Sequence, residues 1–124
     1  MPNEVKKLVD EYVSLCSKLC QKAEDYTPKN VAQHNKAMGE LSQLRQVLHA
    51  DPDLAKAVYA ALLTHEDGYV QQSAASDCLS LNIHTKEAVH ILKRIKRYGD
   101  SMSSMVAKRT LLIWEGKLDP AAPY

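Results

Sequence analysis

Apolar residues return every three or four positions through almost the whole chain, and the places where they stop carry helix-starting or helix-ending residues. That periodicity is what most limits the fold, because it suits helices with one buried stripe and suits strands badly. The first stretch, from Asn3 to about Lys22, puts Val5, Leu8, Val9, Tyr12, Leu15, Cys16, Leu19 and Cys20 on one face. Asn3 is placed to cap it, with Glu4 in the first turn. Thr27-Pro28 pairs a cap residue with proline at the first helical position and starts a second helix reaching about His49. Its inward set is Val31, Met38, Leu41, Leu44, Val47 and Leu48, and Gly39 in its middle would suit a close helix contact. Asp51-Pro52 repeats the start signal for a shorter helix ending near Thr64, with Leu54, Val58, Leu62 and Leu63 apolar.

The turn His65-Glu66-Asp67-Gly68 precedes a fourth helix over Tyr69–Leu81, built on Val70, Ala74, Cys78 and Leu79. Asn82-Ile83-His84 breaks it. Thr85 is placed to cap a fifth helix to Tyr98, with Ala88, Ile91, Leu92 and Ile95 inward and Gly99 as its stop. A sixth runs from Asp100-Ser101 to Glu115, with Met105, Leu112 and Trp114 inward, and residues 117–124 form an irregular tail with two prolines. No stretch alternates like a strand with hairpin signals. The sequence therefore predicts one all-α domain over residues 1–124, with six antiparallel helices stacked as pairs or closed into a bundle.

Composition narrows the function classes. At 124 residues, 45% hydrophobic and 25% charged, the chain has the balance of a globular protein. Its longest apolar run, Ala57–Leu63, is too short for a membrane span, and the N-terminus lacks a signal-peptide stretch. Three cysteines without such a signal suit a reducing compartment, so a cytoplasmic location is expected. Net charge is +1, short of the basic excess of a dedicated nucleic-acid binder.

No catalytic set, metal site or cofactor motif is expected. Cys16 and Cys20 are four apart, a spacing that could hold a soft metal, but both lie on the apolar stripe and read as core thiols. His34, His49, His65, His84 and His90 form no metal-binding pair, and His65-Glu66-Asp67 reads as a solvated turn. There is no Gly-x-Ser-x-Gly elbow and no glycine-rich phosphate loop. Lys93, Arg94, Lys96 and Arg97, with Lys86, Lys108 and Arg109 beyond them, could attract phosphate. They also form the polar side of an amphipathic helix, and Tyr98 is the one aromatic interleaved with the run.

The stretch from Asp67 to Leu79 resembles the second helix of a HEAT-type repeat: a turn, an aliphatic residue, then the small pair Ala74-Ala75. Leu54–Leu63 resembles the first helix of that pair, and only residues 54–79 read as such a repeat. From about Leu8 to Pro120, including the ending Leu112-Ile113-Trp114-Glu115-Gly116-Lys117-Leu118, the chain looks like a small bacterial family of α–α superhelical domains. Proteins of this kind are similar to immunity proteins of bacterial toxin systems, contact-dependent growth inhibition among them. The resemblance implies an immunity protein that neutralises a cognate toxin domain; the alternative is a helical-repeat adaptor with another protein partner.

If six helices alternate, the turns carrying Glu24-Asp25, Glu66-Asp67 and Asp100 share one edge. Such an acidic edge would suit a basic nuclease. The expected partner-binding residues are Glu66, Asp67 and Asp100, with Gln71, Gln72 and Asp77 beside them on a polar helix face. Neither membrane nor nucleic acid is expected as a partner.

Overall fold

The computed structural model describes residues 2–19 and 27–121, and every secondary-structure element among them is a helix. Cys20, Glu24 and Asp25 fall outside the described residues, as do residues 122–124 of the tail. The helices are α1 (Asn3–Leu19), α2 (Pro28–Ala50), α3 (Pro52–Leu63), α4 (Gly68–Leu81), α5 (Thr85–Tyr98) and α6 (Ser101–Trp114). The chain divides into two compact units, Met1–Leu62 and Leu63–Tyr124. None of the described helices is long and apolar enough to cross a membrane.

Local chemistry sets the helix ends. Thr27 caps α2, its hydroxyl accepting from Asn30 N–H at 3.2 Å. Asp51 closes α2 by donating its N–H to Leu48 O at 3.3 Å and opens α3 by accepting from Leu54 N–H at 3.2 Å. Two helix starts differ from the expectation. Asn3 is already helical, and the carbonyl of Pro2 accepts from Lys6 N–H, so the cap position is one residue earlier. Thr85 is likewise the first helical residue, and His84, in the left-handed region at φ 45°, holds the cap position without its side chain capping the helix.

α4 and α6 end alike. After α4, Asn82 turns left-handed at φ 58°, so that Ile83 N–H reaches Cys78 O at 3.0 Å. After α6, Gly116 does so at φ 74° and Lys117 N–H reaches Leu112 O at 2.9 Å. Both satisfy carbonyls left over at the helix end; glycine suits the left-handed residue best and asparagine tolerates it. Beyond α6 the tail folds back, with Arg109 Nη2 donating to Pro120 O at 3.1 Å.

In the first unit α1 pairs with α2. Val5, Tyr12, Leu15, Cys16 and Leu19 are buried, as are Ala37, Leu41, Leu44 and Leu48 of α2. Tyr59 of α3 meets Tyr12 edge-on, the ring centres 6.0 Å apart and the planes at 81°. In the second unit α5 packs against both α4 and α6. Val70, Ala74, Ala75, Cys78 and Leu79 are buried on α4, Ala88, Ile91 and Leu92 on α5, and Ala107 and Leu111 on α6. The helix beginning at Gly68 thus finds its close neighbours in α5 and α6. The expected repeat pair, residues 54–79, straddles the division between the units.

Five residues expected inward are exposed: Val31, Met38 and Val47 of α2, and Met105 and Trp114 of α6. On α2 the buried stripe runs through Ala37, Leu41, Leu44 and Leu48, and the three exposed residues lie about 90–110° round the helix from it. On α6 apolar residues occur on nearly every side, so spacing does not choose a face. The structure buries Ala107 and Leu111, with Met105 about 140° away.

Candidate functional site

The first turns of α4 and α6 and the last turns of α5 meet at one end of the second unit. Three bonds show it. Gln72 Nε2 donates to Ser103 O at 3.3 Å, linking α4 to α6. Arg94 Nη2 donates to Gln71 Oε1 at 2.8 Å, linking α5 to α4. Ser104 Oγ donates to Lys96 O, linking α6 to α5.

This end gathers three of the predicted carboxylates, and two of them have local work. Asp67 Oδ1 accepts from Tyr69 N–H at 2.8 Å and Val70 N–H at 3.3 Å, capping α4. The Asp67 N–H itself donates to His65 Nδ1 at 3.0 Å. Asp100 Oδ1 accepts from Ser103 N–H at 2.8 Å, capping α6. That backbone bond, reinforced by the Ser103 side chain, holds the Asp100 carboxyl below its usual range. Both carboxylates remain exposed. Glu66 is exposed in the turn before the α4 cap and carries no such bond.

The predicted polar flank is largely interior. Gln72 is 8% exposed and Asp77 is 9% exposed, so neither presents a surface to a partner. Gln72 spends its amide tying α4 to α6, and Asp77 lies in the middle of the packed face of α4. Gln71 is half-buried, donating to Leu63 O at 3.3 Å while accepting from Arg94.

Sequence reasoning missed the apolar and aromatic part of this end. Tyr69 is 41% exposed, Tyr98 75% and Met102 66%. They sit in the last turn of α5 and the first turns of α4 and α6, beside the capping acids in sequence. That adjacency of large side chains to Asp67 and to Gly99-Asp100 was the available signal. The Arg97 guanidinium lies 5.4 Å from the ring centre of Tyr98, within cation–π range. The end is therefore of mixed charge, with Arg94 and Arg97 accompanying the three acids, rather than purely acidic.

In the first unit a concavity of about 860 Å³ runs between α1 and α2, where Lys6, Lys7 and Lys18 alternate with Asp10, Glu11 and Glu40. Cys16 and Cys78 are buried and form no disulfide, and burial pushes the Cys78 thiol up to about 12, which leaves it protonated and unreactive near neutrality. No group of three or more His, Cys, Asp or Glu able to hold a metal occurs among the described residues. Comparison with protein-family models, curated proteins and solved structures gives no match.

Proposed function

We propose that this protein acts by binding another protein through the α4–α6 end of its second unit, and that the partner is a toxin domain, a basic nuclease, which it blocks. The observation behind the binding is the meeting of Glu66, Asp67 and Asp100 with the exposed Tyr69, Tyr98 and Met102. Tyrosine, methionine and arginine concentrate at the centres of protein interfaces, while acids at the rim steer a cationic partner and set its orientation. The choice of a toxin rests on the resemblance of the chain, from about Leu8 to Pro120, to a family of α–α superhelical domains that is similar to immunity proteins. A second reading, an adaptor for a regulatory or signalling protein, is favoured by Arg94 and Arg97, which dilute the acidic character that a nuclease would select.

The test starts with tagged protein purified from its native host and identification of what it retains. The retained protein is then expressed separately and assayed for nuclease activity with and without this protein. Near-equal recovery of a toxin C-terminal domain whose nuclease activity disappears on mixing is the expected result. Glu66→Lys combined with Tyr98→Ala then weakens the complex by about 30-fold or more, with unchanged helical content. Asp67 and Asp100 are left intact because their loss would uncap α4 and α6. Retention of a regulatory protein instead selects the adaptor reading, and a partner held equally well by the double variant removes this end from either.

A further inference from the structure

We propose that the outward face of α5, together with Trp114, binds single-stranded nucleic acid. This strip lies along the side of the second unit and does not depend on the protein-binding reading of its end. The helix carries Lys86, Lys93, Arg94, Lys96 and Arg97 against one acid, Glu87. Its buried residues, Ala88, Ile91 and Leu92, hold the opposite side. Positions 86, 90, 93 and 97 are then a single line of exposed Lys, His, Lys and Arg. Neighbours along that line are about 5–6 Å apart, and the whole line spans about 16 Å at 1.5 Å per residue. A row of cations at that spacing can follow the phosphates of an extended strand.

These charges are available. Among the described residues ion pairs join Lys36 to Glu40 and Lys117 to Glu115, and none engages Lys86, Lys93, Lys96 or Arg97. Arg94 donates to a neutral amide, Gln71, and so keeps its charge uncompensated. Glu115, next to Trp114 in sequence, is held by Lys117 Nζ at 3.1 Å.

The decisive addition comes from α6. Trp114, the one tryptophan of the chain, is 40% exposed rather than buried. It lines a shallow concavity of about 440 Å³ with Thr85, Lys86, Val89, His90 and Lys93. In sequence the basic run has only Tyr98 for an aromatic neighbour; the α5–α6 packing supplies an indole beside the cations at the other end. Aromatic faces that stack unpaired bases, next to cations that hold the backbone, are the recurring elements of single-strand binding. A duplex offers no unpaired base to the indole. A membrane surface is disfavoured because the apolar side of α5 is already spent in the core, leaving nothing to insert.

The test titrates fluorescein-labelled oligo-U and oligo-dT of about twelve nucleotides with the intact protein, by anisotropy, from low to physiological salt. The same titrations follow the Trp114 emission. Binding is expected with quenching of that emission and weaker retention of the corresponding duplex. The logarithmic salt slope should be about −2 to −3, as three or four phosphate contacts imply. Lys86→Gln with Lys93→Gln should cut affinity about tenfold or more at low salt and make the slope shallower by about 1.4. Trp114→Leu should weaken binding about 5- to 100-fold with little change of slope. Both lysines are exposed, so their variant keeps its fold; circular dichroism checks this for both. Absence of oligonucleotide binding at low salt overturns the proposal. So does binding that neither variant weakens, binding without a change in Trp114 emission, or retention by phosphatidylserine vesicles with no oligonucleotide binding.

Discussion

At the scale of single residues, glycines show how little a residue type says without its surroundings. Gly39 sits in α2 with nothing within 4 Å of where a Cβ would stand, so the close helix contact expected of it is not made. Gly99 is different: a Cβ there would meet Ile95 O at 2.6 Å, although its φ of −74° is one any residue adopts. The two predict opposite outcomes in chemical denaturation. Gly39→Ala should raise stability by about 1 kcal/mol, the helix-propensity difference plus a less flexible unfolded chain. Gly99→Ala should lower it, because backbone at the α5–α6 turn must move. Equal effects of the two substitutions would show that space at these positions does not decide the sign. Asp67 and Asp100 make a related point, since an acid read as partner-facing also holds the first turn of its own helix.

Among the helices, legibility followed the contrast between faces. On α5 the buried Ala88, Ile91 and Leu92 are separated cleanly from the Lys and Arg positions, and spacing alone located the core side. α6 has Met102, Met105, Val106, Leu111, Leu112, Ile113 and Trp114 spread round it, so its neighbour α5 had to select Ala107 and Leu111. The same limit hid Tyr59, which the run of apolar residues in α3 did not distinguish from its neighbours. Tyr12 and Tyr59 are both fully buried and meet edge-on. Replacing either by leucine should destabilise the first unit, and the double-mutant cycle should return a coupling of about 0.5–1.5 kcal/mol, as edge-to-face pairs do. A coupling near zero would mean that each ring is held by its other neighbours and not by its partner.

For the molecule as a whole, stability should fall at both ends of the pH scale for separate reasons. The Asp100 carboxyl is held below its ordinary 3.8 by the Ser103 N–H. Its contribution is therefore complete above 3.8 and is lost as pH falls through its lowered value. The Cys78 thiol is raised from 9.0 to about 12 by burial, with Asp77 and Glu87 adding to the shift. Its contribution is complete below 9.0 and declines as pH rises towards 12, because the unfolded thiol ionises first. Denaturation midpoints measured across pH should show Asp100→Asn flattening the acid side and Cys78→Ala the alkaline side. A variant whose pH profile matches the parent's removes that group from the account.

Among the described residues, the helices, their approximate ends and the all-α class were determined by the sequence, because caps, prolines and the 3.6-residue period act over a few neighbouring residues. Thr27-Pro28 and Asp51-Pro52 mark helix starts through their own residue types. Which polar residues face outward was decided by the tertiary structure alone. Gln72 and Asp77 went inward because packing on α4 surrounds them. Tyr98 and Met102 joined the acids because α5 and α6 turn at Gly99-Asp100. Trp114 came to stand beside Lys86 and Lys93 because two helices lie side by side. Such juxtapositions depend on how helices pack, and residues far apart along the chain carry no local signal of it.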